Sequence, residues 1–301
     1  MSAPRRRNRR ARKVREALLG YLLVAPALLV FGVFVFYPFA KNIWLGMYRT
    51  PPFPGLPKRY AAFDQYERVL TSPEFRNSLR TTVVFVVATV PTGIVLGLLM
   101  AMLAHQRLRG ITIYRTIFSS TVATSIAVAS VIFFTLLNPQ VGLLTYWMGR
   151  QGEPSLLDDP RWALWAVAGV TIWQNLGLSF ILMSAGLQGV PDDLLEAAEV
   201  DGAGSWSRLR NVVMPLLSPT IFFATIVGSI LAFQAFGQID LLTQGGPLKK
   251  TNVLVYAMYD AVFRQNNEGK AAVLSVALFA ITLVLTLIQL RLLERRVTYE
   301  R

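Results

Sequence analysis

Six stretches of the chain contain no Asp, Glu, Lys or Arg: 17–37, 81–104, 116–137, 162–187, 216–236 and 271–290. Each is long enough to cross roughly 30 Å of hydrocarbon as a helix. They are too long and too continuously apolar for barrel strands, and lipid offers no partner for an unpaired backbone group. The pattern therefore predicts an all-α membrane protein with six transmembrane helices. Polar segments 38–80, 105–115, 138–161, 188–215 and 237–270 separate the spans. Prolines and glycines punctuate them as turns, in Pro51-Pro52-Phe53-Pro54 and Gly245-Gly246-Pro247. Short helices are expected within them around 64–70 and 253–263.

Basic residues beside the span ends set the orientation. Eight Lys or Arg and one acidic residue precede the first span, which places the N-terminus in the cytoplasm. Six crossings return the C-terminus to that side, where Arg291, Arg295, Arg296 and Arg301 agree. The segment 41–80 carries seven basic and three acidic residues on what becomes the external side. It is long, many of its charges lie away from the span ends, and the N-terminal cluster is denser, so the topology stands. The expected organisation is a basic tail (1–16), a membrane domain (17–290) with a cytoplasmic loop at 188–215, and a C-terminal tail (291–301).

Composition agrees: 53% of the 301 residues are hydrophobic, 16% are charged, and the mean hydropathy is positive. The net charge of +13 does not imply nucleic acid, because the basic residues concentrate beside apolar runs, as in RRRNRRARKVR at 5–15. The absence of cysteine excludes disulfides and thiolate chemistry. The single histidine, His105, ends an apolar run beside Arg107 and Arg109 and reads as an interfacial side chain. Ala25-Pro26-Ala27 imitates a signal cleavage site, but the apolar run continues through Phe36 and the proline disfavours cleavage.

The loop 188–215 concentrates five carboxylates in a basic protein. Val190-Pro191-Asp192-Asp193 reads as a helix start, with carboxylates at the positive end of the dipole. Good helix formers continue from Leu194 to Val200, and Gly202 and Gly204 end the helix. Ser205 is expected to cap a second stretch from Trp206, and Ser218-Pro219 to restart the fifth span. The segment serves either as a polar connector or as a docking helix. In the second case Ala197 and Ala198 keep it slim, Glu196 and Asp201 offer charged rims, and Gly202 allows a sharp exit.

EAA at 196–198, DGA at 201–203 and Met214-Pro215 resemble the EAA loop of permease subunits from bacterial ABC importers. The resemblance implies the type I importer permease fold and assigns coupling to the ATPase to Glu196, Ala197, Ala198, Asp201, Gly202, Ala203 and Pro215. GYLLVAPALLVFGVFVFYP, LNPQVGLL at 137–144, TQGGP at 243–247 and the spacing of Ala257 and Phe263 resemble the carbohydrate-uptake class. Within it, FGQIDLLTQGGP and QLRLLERRVTYE resemble the first permease subunit of glycerol-3-phosphate and glycerophosphodiester importers. The implied partners are a homologous second permease, two ATPase subunits carrying ATP and Mg, an external substrate-binding protein and membrane lipids. The implied location is the bacterial plasma membrane.

The chain has no GxxxxGK sequence followed by Ser or Thr, so no cofactor is expected on it and hydrolysis is expected on the separate ATPases. The polar and aromatic residues in or beside the spans are candidates for the substrate pathway: Asn138, Trp173, Gln174, Asn175, Phe233, Gln234, Phe236 and Gln238. The polar ones also serve equally well as hydrogen-bond partners between helices, while Gly93, Gly97 and Gly228 read as packing contacts. No span carries Lys or Arg to balance a phosphate, so that charge comes from the second permease, from helix N-termini and amides, or from the external binding protein. The same absence of charge opposes an ion-coupled secondary transporter, which needs an intramembrane carboxylate. The external acids Asp158, Asp159, Asp240, Asp260 and Glu268 show no catalytic spacing. A di- or oligosaccharide is the alternative substrate.

Overall fold

A computed structural model describes residues 7–51, 56–105 and 109–294. The basic residues at 5–6, Pro52-Phe53-Pro54, Arg107 and the C-terminal residues from Arg295 lie outside the described residues. Five helices are long and apolar enough to cross a membrane: Glu16–Leu45, Pro73–Ala104, Ala163–Gln188, Ser205–Phe233 and Glu268–Leu292. A bent pair, Ile111–Ala123 and Ile126–Leu136, meets at 105° and makes a sixth crossing when counted as one span.

In chain order, α1 (Arg7–Phe31) runs through a π turn into α2 (Tyr37–Leu45). A two-stranded hairpin follows, β1 (Tyr48–Arg49) with β2 (Arg59–Tyr60), then α3 (Asp64–Leu70) and α4 (Pro73–Ala104). The divided crossing is α5 (Ile111–Ser119), a 3-10 turn at Ser120–Ala123, and α6 (Ile126–Leu136). After it come α7 (Leu143–Trp147), α8 (Ala163–Gln188), α9 (Asp192–Val200) and α10 (Ser205–Arg208). A second π turn leads to α11 (Met214–Phe233), and α12 (Gly237–Leu242), α13 (Leu254–Phe263) and α14 (Glu268–Glu294) complete the chain.

Three expectations from the sequence are corrected. The first span does not stop at Tyr37-Pro38, and the fifth does not restart at Ser218-Pro219. The helix passes Pro38 in the first case, and Pro215, upstream of Ser218-Pro219, in the second, each through a π turn. Tyr37, just before Pro38, donates its N–H to Gly32 O, and Met214, just before Pro215, donates to Leu209 O. Proline has no N–H, and its ring crowds the carbonyl four residues back. Widening the preceding turn by one residue moves that carbonyl aside and keeps the helix running. The helix therefore extends through Lys41 to Leu45 in the first case, and Pro219 lies inside α11 in the second.

The third correction is the division of the predicted span 116–137. Thr124 and Ser125 are extended, and Ser125 Oγ accepts the N–H of Val128 at 3.2 Å, which caps a new helix. The 3-10 turn before it presses on α8 at Gly177, where a Cβ would lie 2.4 Å from Thr121 Oγ1 and 2.9 Å from Val122 N.

The pair α4 and α8 forms the centre of the bundle. Their closest approach is at Gly97, where a Cβ would lie 2.6 Å from Ser179 Cβ and 2.9 Å from its carbonyl carbon. Small residues permit such contact where lipid supplies no hydrophobic drive for helices to associate. Around one end of this pair, Ala101, Ala104, Met183, Leu187, Val190 and Leu217 are buried together. Around the other end the buried cluster contains Phe85, Val167, Val170, Ile239 and Tyr256. The first span is unburied along its apolar length and meets α14 through Phe39 and Phe279, whose rings are 4.7 Å apart.

Candidate functional site

The loop 188–215 extends from the end of the bundle where α8 finishes and α11 begins. Pro191, with extended ψ, opens α9, and Asp192 and Asp193 occupy its first turn. Its far end is a closed backbone motif. Ala203 N–H donates to Ala198 O at 2.9 Å, Gly202 N–H donates to Glu199 O at 3.0 Å, and Gly202 has φ +77°. These are the paired bonds of a Schellman turn, in which the residue after the cap takes a left-handed conformation that glycine adopts without strain. EAA and DGA are thus two halves of one turn: the last alanine of each is joined by a hydrogen bond, and the glycine lies between.

A nine-residue helix is marginal by itself. Leu195 ties α9 to the buried cluster below, and Arg208 Nη1 of α10 donates to Glu199 Oε2 at 2.5 Å. The cap of α10 is Gly204 rather than Ser205. Glu196, Ala197, Asp201 and Gly202 are exposed, Ala198 and Ala203 are half-buried, and Pro215 is exposed at the start of α11. Three bulky apolar side chains of α9 and α10 face outward among these polar residues: Leu194 at 42%, Val200 at 88% and Trp206 at 71% exposure. Sequence reasoning passed over them, and the signal was available as bulky apolar residues inside a carboxylate-rich loop.

The pathway candidates do not converge on one chamber. Gln174 and Gln238 meet, with Gln238 Nε2 donating to Gln174 Oε1 at 2.8 Å, and Gln174 Nε2 donates to Thr124 O at 3.4 Å, where the divided span bends. Trp173 packs edge-on against Phe133 with ring centroids 5.2 Å apart. Asn175 lines a space of about 40 Å³ between α4, α8 and α11, together with Thr89, Gly93 and Gly228. That space accommodates water but no solute the size of a sugar. Asn138 Oδ1 accepts from Gln140 N and Val141 N and closes the turn after α6. Phe233 is 3% exposed in the core, while Gln234 is exposed at the end of α11. Phe236 stacks on Tyr256 and contacts Tyr259, with centroids 6.0 and 4.8 Å away.

The chain matches the family described as binding-protein-dependent transport system inner membrane component over residues 93–299. It is 37% identical over 286 residues to the sn-glycerol-3-phosphate transport system permease proteins of Agrobacterium fabrum and Rhizobium meliloti. The alignment covers 94% of this chain and 97% of each relative. The corresponding protein of Pectobacterium atrosepticum is 32% identical over 95% of this chain and 97% of its own length. Among solved structures, a chain of a bacterial ABC transporter involved in the import of the acidic polysaccharide alginate superposes with a TM-score of 0.80 at 20% identity. It covers 95% of this chain and 99% of that one, and the likeness is one of fold: the type I ABC importer permease. The protein belongs to the family of inner-membrane components of binding-protein-dependent transport systems, and is a multi-pass membrane permease.

Proposed function

We propose that this chain forms half of the translocation pathway of an ATP-driven importer for sn-glycerol-3-phosphate or a glycerophosphodiester, and that α9 is its coupling helix. The observation that carries the coupling reading is the outward face of α9 and α10. Val200, on the same helix as Glu196 and next to Asp201, and Trp206, on α10, are exposed, and Leu195 fixes α9 to the bundle. An apolar patch with charged rims on a short rigid helix suits a protein cleft better than water or lipid. The partner proposed for that cleft is an ATPase subunit carrying ATP and Mg, one of a pair, with both chain termini on the same cytoplasmic side. A homologous second permease completes the pathway, since the space that Asn175 lines between α4, α8 and α11 is only about 40 Å³. An external binding protein delivers the solute.

In this reading ATPase closure moves α9, and α9 moves the helices to which Leu195 and Arg208 attach it. The membrane pair has two states, inward-open and outward-open, and the nucleotide biases their populations through this contact. The substrate reading rests on the relatives named for sn-glycerol-3-phosphate transport. Reconstituting the complex and measuring stimulation of ATP hydrolysis across a solute panel tests it. Stimulation by sn-glycerol-3-phosphate or glycerophosphocholine is expected, and stimulation by maltose or trehalose alone overturns it.

A further inference from the structure

At the end of the bundle opposite α9, a cavity of about 570 Å³ opens between the β1–β2 hairpin, α3 and the start of α14. Arg49, Arg59, Arg68 and Lys270 line it, Gln65 and Asn267 add amides, and no carboxylate lies among its lining residues. Arg49 and Arg59 are direct cross-strand partners in the antiparallel pair. Like charges in that register repel, so the hairpin is held in an arrangement that an anion between the two side chains relieves. Arg49 Nε is buried and has no hydrogen-bond acceptor, an unfavourable state for a charged donor.

Two acids near the cavity are already paired with lysines. Glu74 accepts from Lys249 Nζ at 2.6 Å and from Lys270 Nζ at 2.5 Å, and Glu268 pairs with Lys58. The lysine of the cavity is thereby neutralised, and among the described residues no carboxylate pairs with the three arginines. Guanidinium forks match the tetrahedral oxygens of a phosphate and make charge-assisted bonds to it. The six apolar stretches read from the sequence carry no Lys or Arg, so this cavity concentrates positive charge where a solute first meets the chain.

We propose that the cavity is an external anion site that takes the phosphate of a small phosphoester, through Arg49, Arg59 and Arg68, before the solute passes between the spans. This rests on the reading of the chain as a phosphoester importer, which supplies the direction of passage. The site is part of the permease itself and acts apart from the binding protein.

The test uses the complete permease–ATPase complex in zwitterionic lipid nanodiscs without binding protein. Saturable binding of inorganic phosphate, sn-glycerol-3-phosphate and glycerol is followed by phosphorus NMR or by equilibrium dialysis of labelled compound. The expected result is binding of the two phosphates and not of glycerol, weakened by salt. Arg68→Gln should weaken it about tenfold and Arg49→Gln with Arg59→Gln by more, while Arg76→Gln, on the same end but outside the cavity, should not. Arg68 and Arg59 are exposed, so their loss should leave the complex folded, as its basal ATP hydrolysis will report. Absence of binding to the wild-type complex, or equal binding by the arginine variants, overturns the proposal. So does loss of affinity for loaded binding protein with phosphate binding unchanged, which marks a protein-docking face instead. Phosphate binding at the cavity together with ATP hydrolysis stimulated only by a disaccharide refutes the transport reading while sustaining the anion site.

Discussion

Ala203 donates its backbone N–H to the carbonyl of Ala198 over 2.9 Å, and Gly202 between them has φ +77°. Apart from its two chain neighbours, no atom of the described residues lies within 4 Å of where a Gly202 side chain would begin. The requirement for glycine is therefore conformational within this chain, and steric only toward whatever docks there. Gly202→Ala should cost roughly 1–2 kcal/mol of local stability. Asn tolerates the left-handed region, so Gly202→Asn should retain part of uptake. Gly202→Asp places a carboxylate at a helix C-terminus beside Asp201 and should abolish uptake with the complex still assembled. Proteoliposome uptake with co-purification of the ATPase measures both, and normal uptake by Gly202→Asp would remove the coupling assignment.

The docking face and the internal brace of the loop should separate by mutation. Glu199 is 70% exposed in its pair with Arg208, and a pair of this kind contributes at most about 1 kcal/mol. Glu199→Gln should therefore leave ATPase association close to wild type. Trp206→Ala removes a 71% exposed aromatic and should weaken association by about 2 kcal/mol if the side chain becomes buried in the partner. Affinity of the purified permease for its ATPase decides this, and a larger loss from Glu199→Gln than from Trp206→Ala contradicts the surface assigned.

The bond between Gln238 Nε2 and Gln174 Oε1 joins α12 to α8 in a buried setting. Gln174→Leu or Gln238→Leu alone strands a polar partner and should cost about 1–3 kcal/mol. The double replacement removes both and should recover much of that loss. Thermal unfolding of the purified complex provides the cycle. Additive losses would show that the two residues act separately, and loss of uptake by a stable double variant would assign them to the solute pathway.

Gly93 and Gly97 lie one turn apart on α4 yet differ in their surroundings. A Cβ at Gly97 would meet Ser179 at 2.6 Å, whereas at Gly93 the nearest atom is Ser179 Oγ at 3.8 Å. Gly97→Ala should lower stability by about 1–3 kcal/mol, and Gly93→Ala should be tolerated. Equal shifts in the unfolding temperature of the two variants would contradict the α4–α8 packing.

Charge-free length revealed the spans because lipid penalises every buried charge, and the helix at 192–200 was visible through its acidic start and glycine end. The break at Thr124-Ser125 was hidden because counting charges does not register a serine that caps a helix inside an apolar run. The first span was expected to end at 37 and the fifth to restart at Ser218-Pro219, whereas the helices run on past Pro38 and Pro215 through π turns that have no sequence signature of their own. Gln174 and Gln238 were picked out individually as polar residues, but their pairing is a long-range contact. The opposition of Arg49 and Arg59 likewise depends on hairpin register across the turn. Phe233 and Phe236, three residues apart, join two different buried clusters because α11 ends between them.

In the proposed mechanism, ATP hydrolysis on a partner drives solute through a pathway to which this chain contributes half. The most direct measurement is uptake of labelled sn-glycerol-3-phosphate into proteoliposomes containing the whole complex, with ATP, binding protein and proton gradient varied independently. Uptake that needs both ATP and the loaded binding protein, and survives collapse of the gradient, is the predicted result. Uptake that persists without the ATPase and disappears with the gradient would contradict it.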